Sequence, residues 1–318
     1  MSGAVREGQT LGGESWLVRY ANLVRLPHTV FALPFALVGA TLASYATPVT
    51  WAVVAWIVVA FTSARFAAMG FNRIVDRDID ARNPRTSRRE LPSGRLGVRE
   101  ASAAVLVAAV LFVYAAARLN PLCGWLAPLA LGWVLFYSYT KRFTHWSHLV
   151  LGMGLAIAPV GGFLAVAGQW SSPWWMLPVL ALAVTTWVAG FDVLYALQDR
   201  TFDLAQGLYS IPVSFGDLGA FRFSRFLHVV TVLSLALVGW ATHAGGLYAV
   251  GLLIAAALLL YEHSLVSPRR LERLDAAFFA MNGVISIAFF VFVLAERLWR
   301  LRHGTVGITG LGMSAFLP

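Results

Sequence analysis

Apolar residues run along this chain in blocks rather than at the alternating spacing of a half-buried strand. A bilayer core about 30 Å thick takes roughly 20 apolar residues per helix. Runs of that length, set off by charged or Gly/Pro breaks, lie near 27–46, 50–71, 101–118, 122–139, 148–168, 174–195, 225–243, 246–264 and 276–296. The pattern predicts an all-α polytopic membrane protein of nine transmembrane helices. It divides the chain into a polar tail over 1–24, one transmembrane domain over 25–300 and a C-terminal tail over 301–318.

Loop charge orients these spans. With a cytoplasmic N-terminus, the tail and the loops after spans two, four, six and eight carry 19 of the 24 Lys and Arg. That asymmetry follows the positive-inside rule, and a bacterial inner (plasma) membrane is the expected location, with the active site toward the cytoplasm. Arg297, Arg300 and Arg302 fall on the opposite side and sit oddly with the rule. Composition agrees with the spans: 59% of residues are hydrophobic and 12% charged, where a soluble domain carries about 25% charge. The net charge of +9 therefore orients the protein in lipid and gives no reason to expect nucleic acid as a partner. The one cysteine, Cys123 in an apolar run, excludes a disulfide framework or thiolate cluster and reads as a small buried hydrophobe. The first 25 residues are polar and Gly-rich, and no cleaved signal peptide is expected there.

Two loops break the apolar pattern with the same grammar. The first holds Asn72, Asp76 and Asp80 at i, i+4 and i+8; the second holds Tyr195, Asp199 and Asp203 at that spacing. Both read D-R-x-x-D, as DRDID and DRTFD. Arg65 lies seven residues before Asn72, and Asp192 seven before Asp199. At about 100° per residue, positions 0, 7 and 11 share a helix face. Arg65, Asn72 and Asp76 therefore form one stripe, and Asp192, Asp199 and Asp203 another. Asp80 and Asp203 carry the stripes onward toward water.

A lone D-x-x-x-D at a helix end is most often a solvated face. Two matching clusters, each with a polar residue deeper in its span, are a different matter, because a carboxylate inside a span costs about 2.5–3.5 kcal/mol and like charges one turn apart repel. Such a cluster needs a compensating cation. Carboxylates with an Asn amide suit Mg²⁺, which completes its shell with phosphate and water, and the neighbouring basic residues suit the remaining phosphate oxygens.

These residues resemble the two signatures of the UbiA superfamily of intramembrane prenyltransferases. N-x-x-x-D-x-x-x-D is met by Asn72, Asp76 and Asp80, and D-x-x-Y-A-x-x-D-x-x-x-D by Asp192, Tyr195, Ala196, Asp199 and Asp203. NPRTSRRELPSG is similar to a further family segment, with Glu90 where proline is usual, and YSYTKR (with Lys141 and Arg142) and SIPVSFG are similar to two more. The resemblance implies nine helices around a central cavity open to the cytoplasm and to lipid, with two Mg²⁺ ions bridging a polyprenyl diphosphate. Of the metal ligands it implies, Asn72, Asp76, Asp199 and Asp203 are the principal four. Asp80 belongs to the metal motif and Asp192 supports it; Tyr195 orients a ligand, and Asp76, Asp199, Asp192 and Tyr195 make the catalytic set. Arg65, Lys141, Arg85, Arg88 and Arg89 would hold diphosphate.

The stretch RLPHTVFALPFALVGA (25–40) resembles a branch related to the 4-hydroxybenzoate polyprenyltransferases. An aromatic hydroxy acid is the implied acceptor, and Arg25 and His28 are candidates to bind it. Prenylation of a dihydroxynaphthoate for menaquinone is the alternative to ubiquinone-type synthesis. A transporter with acids on its ion path is the reading from another class, but such charges sit near the bilayer midplane at broken helices, whereas these acids lie at span ends.

Overall fold

The computed structural model describes residues 11–13, 15–265 and 274–303, with the side chains of 26–31 and 274–280 outside the description. Every regular element among them is helical: α1 (Trp16–Leu23), α2 (Leu26–Ala43), α3 (Trp51–Val75), α4 (Arg77–Arg82), α5 (Val98–Leu119), α6 (Pro121–Thr140), α7 (Ser147–Ala167), α8 (Met176–Tyr195), a 3₁₀ turn (Ala196–Asp199), α9 (Arg200–Ala205), α10 (Ile211–Ala241), α11 (Gly246–Leu265) and α12 (Leu274–His303). Among the described residues seven helical stretches are long and apolar enough to cross a membrane: α3, α5, α6, α7, the run Met176–Ala205, α10 and α11. The first and ninth apolar runs fall on α2 and α12.

Helix α8 is the innermost, packed along α7 and α10 and buried on every side from Ala183 to Gly190. A helix apolar all round belongs inside a large core or in lipid. Around it α2 lies on α7 and α12, α3 on α5, and α11 on α12. Leu106, Val107 and Val110 of α5 and Trp125 and Leu129 of α6 stay exposed, the lipid-facing counterpart of that core. Apolar surface gives helices little reason to associate when the solvent is itself apolar, so close backbone approach takes over. A Cβ on Gly162 would lie 2.0 Å from the Ala36 carbonyl oxygen, and one on Gly39 1.8 Å from that of Pro159. Only glycine lets α2 and α7 touch there.

Two breaks shape the polar end. Helix α3 stops at Asp76 (φ −92°, ψ 4°) and restarts as α4, and α8 tightens into the 3₁₀ turn before α9. The two acidic stripes are thus bent at their last turns, which corrects the straight stripe read from the sequence. Helix α10 is interrupted at Gly216 (φ 70°, ψ 176°), a backbone conformation that glycine adopts at no steric cost. Two of the three arginines on the wrong side of the charge asymmetry, Arg297 and Arg300, have structural partners. Arg297 donates to the Ser44 hydroxyl and carbonyl at 3.0 and 2.8 Å. Arg300 pairs with Glu296 at 2.7 Å, and the Glu296 carboxylate in turn accepts from the Gly245 and Leu247 N–H groups. They fasten helix ends together.

Candidate active site

A cavity of about 290 Å³ gathers the ends of α3, α6, α8 and α9 and the loop after α4. Its wall includes Arg65, Asn72, Asp76, Asp80, Arg85, Arg89, Lys141, Asp192, Tyr195, Asp199 and Asp203, with Arg25 beside them. Residues from loops more than a hundred positions apart meet here. Arg88 is exposed and does not line the cavity. His28 lies on α2 but outside the described side chains.

Each acid has a distinct environment. Asn72 donates its amide N–H to Asp76 Oδ2 at 2.9 Å, and Arg142 reaches Asp76 Oδ1 at 2.9 Å while donating to the carbonyls of Ser138 and Val75. Burial raises the Asp76 pKa above its ordinary value, against the pull of Arg142 and Lys141. Asp80 is buried, and Arg89 Nη1 donates to both its oxygens at 2.8 Å, with Arg73 at 3.8 Å. The acid expected to face water is instead buried on α4 and paired with two arginines. Arg89 is committed to that pair; burial, the largest influence, lowers its pKa against the attraction of Asp80.

Across the cavity, Arg85 donates Nε to Asp199 Oδ1 at 2.9 Å, pairs through Nη2 with Oδ2, and reaches the Tyr195 hydroxyl through Nη1 at 2.7 Å. Asn83 adds a second donor to Asp199 at 3.0 Å, and Arg25 approaches the Tyr195 hydroxyl at 3.5 Å. Arg25 has φ 47°, a left-handed conformation that costs a non-glycine residue about 1–3 kcal/mol and turns the chain between α1 and α2. His148 Nδ1 lies 2.7 Å from Asp192 Oδ2; pairing with a carboxylate puts the ring proton on Nδ1.

Lys141 caps the end of α6. Burial is the strongest single influence on it and disfavours the ammonium, but Asp203, Asp192, Asp199 and Asp76 together outweigh that and raise its pKa. The Tyr209 N–H donates to the Lys141 carbonyl at 2.8 Å, tying the loop after α9 to this position.

The acids also answer whether a hard cation fits. Asp203 is only 3% exposed, yet its Oδ2 is buried without a hydrogen-bond partner. A carboxylate oxygen in that state is what a cation would satisfy. The donors available are oxygens, which suit Mg²⁺. Among the described residues no three acidic, His or Cys side chains converge tightly enough to enclose an ion, so a metal here would take further ligands from phosphate and water.

The sequence reading passed over Arg73, Asn83 and His148, and it took Arg142 only as part of a segment. Asn83-Pro84 is a turn signal that marks where the chain folds back. A single histidine in an apolar span carries no such signal.

The sequence profile of the UbiA prenyltransferase family matches residues 32–293. The chain belongs to this family. As a UbiA-family prenyltransferase it is similar to the 4-hydroxybenzoate octaprenyltransferase of Yersinia pseudotuberculosis serotype O:1b (strain IP 31758), 32% identical over 227 residues that cover 71% of this chain and 77% of the relative. The Yersinia pestis protein of the same name matches over the same shares. Among solved structures, a UbiA homolog from Aeropyrum pernix K1 in its apo form superposes with a TM-score of 0.79 at 32% identity, covering 86% of this chain and 98% of that one. A UbiA homolog from Archaeoglobus fulgidus bound to GPP and Mg²⁺ shares the fold, with a TM-score of 0.64 at 21% identity over 88% and 99% of the two chains. This UbiA-family chain therefore carries the family fold and a polar cavity built from both acidic motifs.

Proposed function

We propose that this prenyltransferase transfers a polyprenyl group from polyprenyl diphosphate to an aromatic hydroxy acid of the 4-hydroxybenzoate type, with Mg²⁺, in respiratory quinone synthesis. The observation that carries the reading is the meeting of Asp76, Asp199 and Asp203 with Lys141 and Arg85 in one cavity. The relatives named 4-hydroxybenzoate octaprenyltransferase support the acceptor class. We read the domain as nine spans around this cavity, in a bacterial inner membrane, with the N-terminus and the cavity mouth cytoplasmic. The loop-charge asymmetry supports that orientation.

Asn72, Asp76, Asp199 and Asp203 would hold two Mg²⁺ ions. Bound Mg²⁺ would supply positive charge against the diphosphate as the allylic C–O bond breaks. Lys141 and Arg85 hold diphosphate oxygens, and Arg85 moves from Asp199 to do so. Arg65, deeper on α3, lies where the diphosphate meets its allylic carbon, while Arg25 and Tyr195 form the edge that takes the acceptor's carboxylate. Phe35, Phe191 and Trp187 line the inner wall. They would exclude the water that quenches an allylic cation, and aromatic rings close to that cation would steady its charge. Asp80 with Arg89 and Asp192 with His148 serve as braces.

The test uses purified protein in nanodiscs with geranyl diphosphate, Mg²⁺ and either 4-hydroxybenzoate or 1,4-dihydroxy-6-naphthoate, read by mass spectrometry. A prenylated benzoate supports the proposal, and product with the naphthoate alone moves the enzyme to menaquinone synthesis. Absence of both products and of Mg²⁺-dependent diphosphate release would overturn it.

A further inference from the structure

Trp187 of α8 is 1% exposed and lines the polar cavity together with Asn282 of α12. Two neighbouring residues of α11, Glu262 and His263, reach this tryptophan by separate routes. Consecutive helix positions point about 100° apart, so Glu262 meets α12 while His263 meets α10.

The first route ends on the indole. Trp187 Nε1 donates to Asn282 Oδ1 at 2.8 Å, and Asn282 Nδ2 donates to Glu262 Oε1 at 3.4 Å. The second route ends on the main chain. His263 Nε2 lies 2.9 Å from His228 Nδ1, and His228 Nε2 lies 3.3 Å from the Trp187 carbonyl oxygen. A carbonyl only accepts, which puts a proton on His228 Nε2. A Cβ on Gly190 would lie 2.4 Å from that imidazole, so glycine at this position lets His228 rest on α8.

Packing alone does not call for a carboxyl group here. Glu262 is 1% exposed in the last turns of α11, and among the described residues its Oε2 is buried without a hydrogen-bond partner. An ionisable side chain inside an apolar span is costly and marks a functional site. Hydrogen bonds in a chain polarise one another where the dielectric is low, so Glu262 strengthens the acceptor that Asn282 offers to the indole. An indole whose N–H is drawn toward a strong acceptor has a more electron-rich ring, and such a ring attracts a cation more strongly.

We propose that Trp187 is the aromatic wall beside the allylic cation, and that Glu262, Asn282, His228 and His263 are positioning residues that hold the indole and enrich its ring. This assignment rests on the reading of the chain as a prenyltransferase acting on a prenyl diphosphate. In that reaction the C–O electron pair leaves with diphosphate, the acceptor ring supplies the pair for the new C–C bond, and the displaced ring proton passes to the released diphosphate. Trp187 makes and breaks no bond.

Tryptophan analogues bearing one, two or three ring fluorines, installed singly at position 187 by amber suppression, withdraw electrons from the ring with little change of shape. In nanodiscs with geranyl diphosphate, Mg²⁺ and the aromatic acid that the wild type prenylates, log kcat is expected to fall in even steps with each fluorine. The total loss is expected to be about 10- to 30-fold, with KM for both substrates held. The same analogues at Trp240, 68% exposed, leave kcat unchanged. A flat series at Trp187, or an equal decline at Trp240, overturns the assignment.

Glu262→Gln keeps an acceptor oxygen for Asn282, and Glu262→Leu removes it. Glu262→Leu is expected to lower kcat about tenfold, but by less than about twofold in a Trp187→Phe background, which has no N–H to donate. An equal loss in both backgrounds overturns the role of Glu262. Should Glu262→Leu not fold, the ¹⁹F resonance of monofluorinated Trp187 in the wild type and in Glu262→Gln reads the link without turnover: a shift supports it and coincident spectra overturn it. If the wild type releases no diphosphate from any prenyl substrate, the functional reading fails and takes the role of Trp187 with it, while the ¹⁹F shift still tests the network.

Discussion

The guanidinium of Arg85 grips the carboxylate of Asp199 across 114 residues of chain, with Nε 2.9 Å from Oδ1. One side chain thereby joins the two acidic motifs, and it stands on the carboxylate that a metal would need. A forked, bidentate contact of this kind orders both partners. It keeps the acid ionised and the arginine beside the place where phosphate oxygens arrive.

Arg85→Lys keeps the charge but cannot fork between Asp199 and Tyr195. Turnover is expected to fall about 10- to 100-fold, chiefly through a raised KM for prenyl diphosphate, with the fold retained. Steady-state kinetics with both substrates varied in turn checks this. An effect confined to the acceptor's KM would move Arg85 out of the diphosphate site.

Asp76→Asn, Asp199→Asn and Asp203→Asn should each lower Mg²⁺-dependent turnover by at least about 100-fold, while the protein still elutes as a folded species and keeps its helical circular dichroism. For Asp203 the change also removes a charge that burial disfavours, so thermal stability in the absence of metal should rise or stay level. Near wild-type activity in any of the three would end that residue's role as a ligand.

Asp80→Asn tests a brace rather than a ligand. It leaves Arg89 and Arg73 buried without their carboxylate, which costs about 3–5 kcal/mol for a buried pair broken on one side. A clear drop in apparent unfolding temperature is expected, with a smaller change in the Mg²⁺ concentration that supports half-maximal activity. The reverse order of effects would make Asp80 a ligand.

Lys141→Met removes the cation that Asp199 and Asp203 share. The folded-state pKa of Lys141 is raised above its ordinary value of 10.5, so its stabilising contribution is fully present below that value and is lost as pH rises through the folded value. Wild type should therefore unfold at a higher temperature than Lys141→Met at neutral pH, and the gap should narrow only above the ordinary lysine range. Differential scanning fluorimetry from neutral to strongly alkaline pH reads this directly. A gap that closed between pH 7 and 9 would contradict the carboxylate cage around Lys141.

The sequence by itself determined the membrane class, the places of the long helices and the two acidic clusters. Hydrophobic length and the helical period are local properties, so Arg65, Asn72 and Asp76 could be put on one side of a span without knowing its neighbours. The stripe held as far as Asp76 and failed one turn later, because α3 breaks there and restarts as α4, with Asp80 buried against Arg89. Only the tertiary structure decided which arginine faces which acid. Arg85, Arg88 and Arg89 are near neighbours in sequence, yet one grips Asp199, one is exposed and one neutralises Asp80. Those pairings depend on how two loops fold over a shared cavity, and the desolvation that makes each pairing necessary exists only once the helices have packed. The apolar cavity between α3, α5, α6 and α7 is likewise a space between helices, and no single span encodes it.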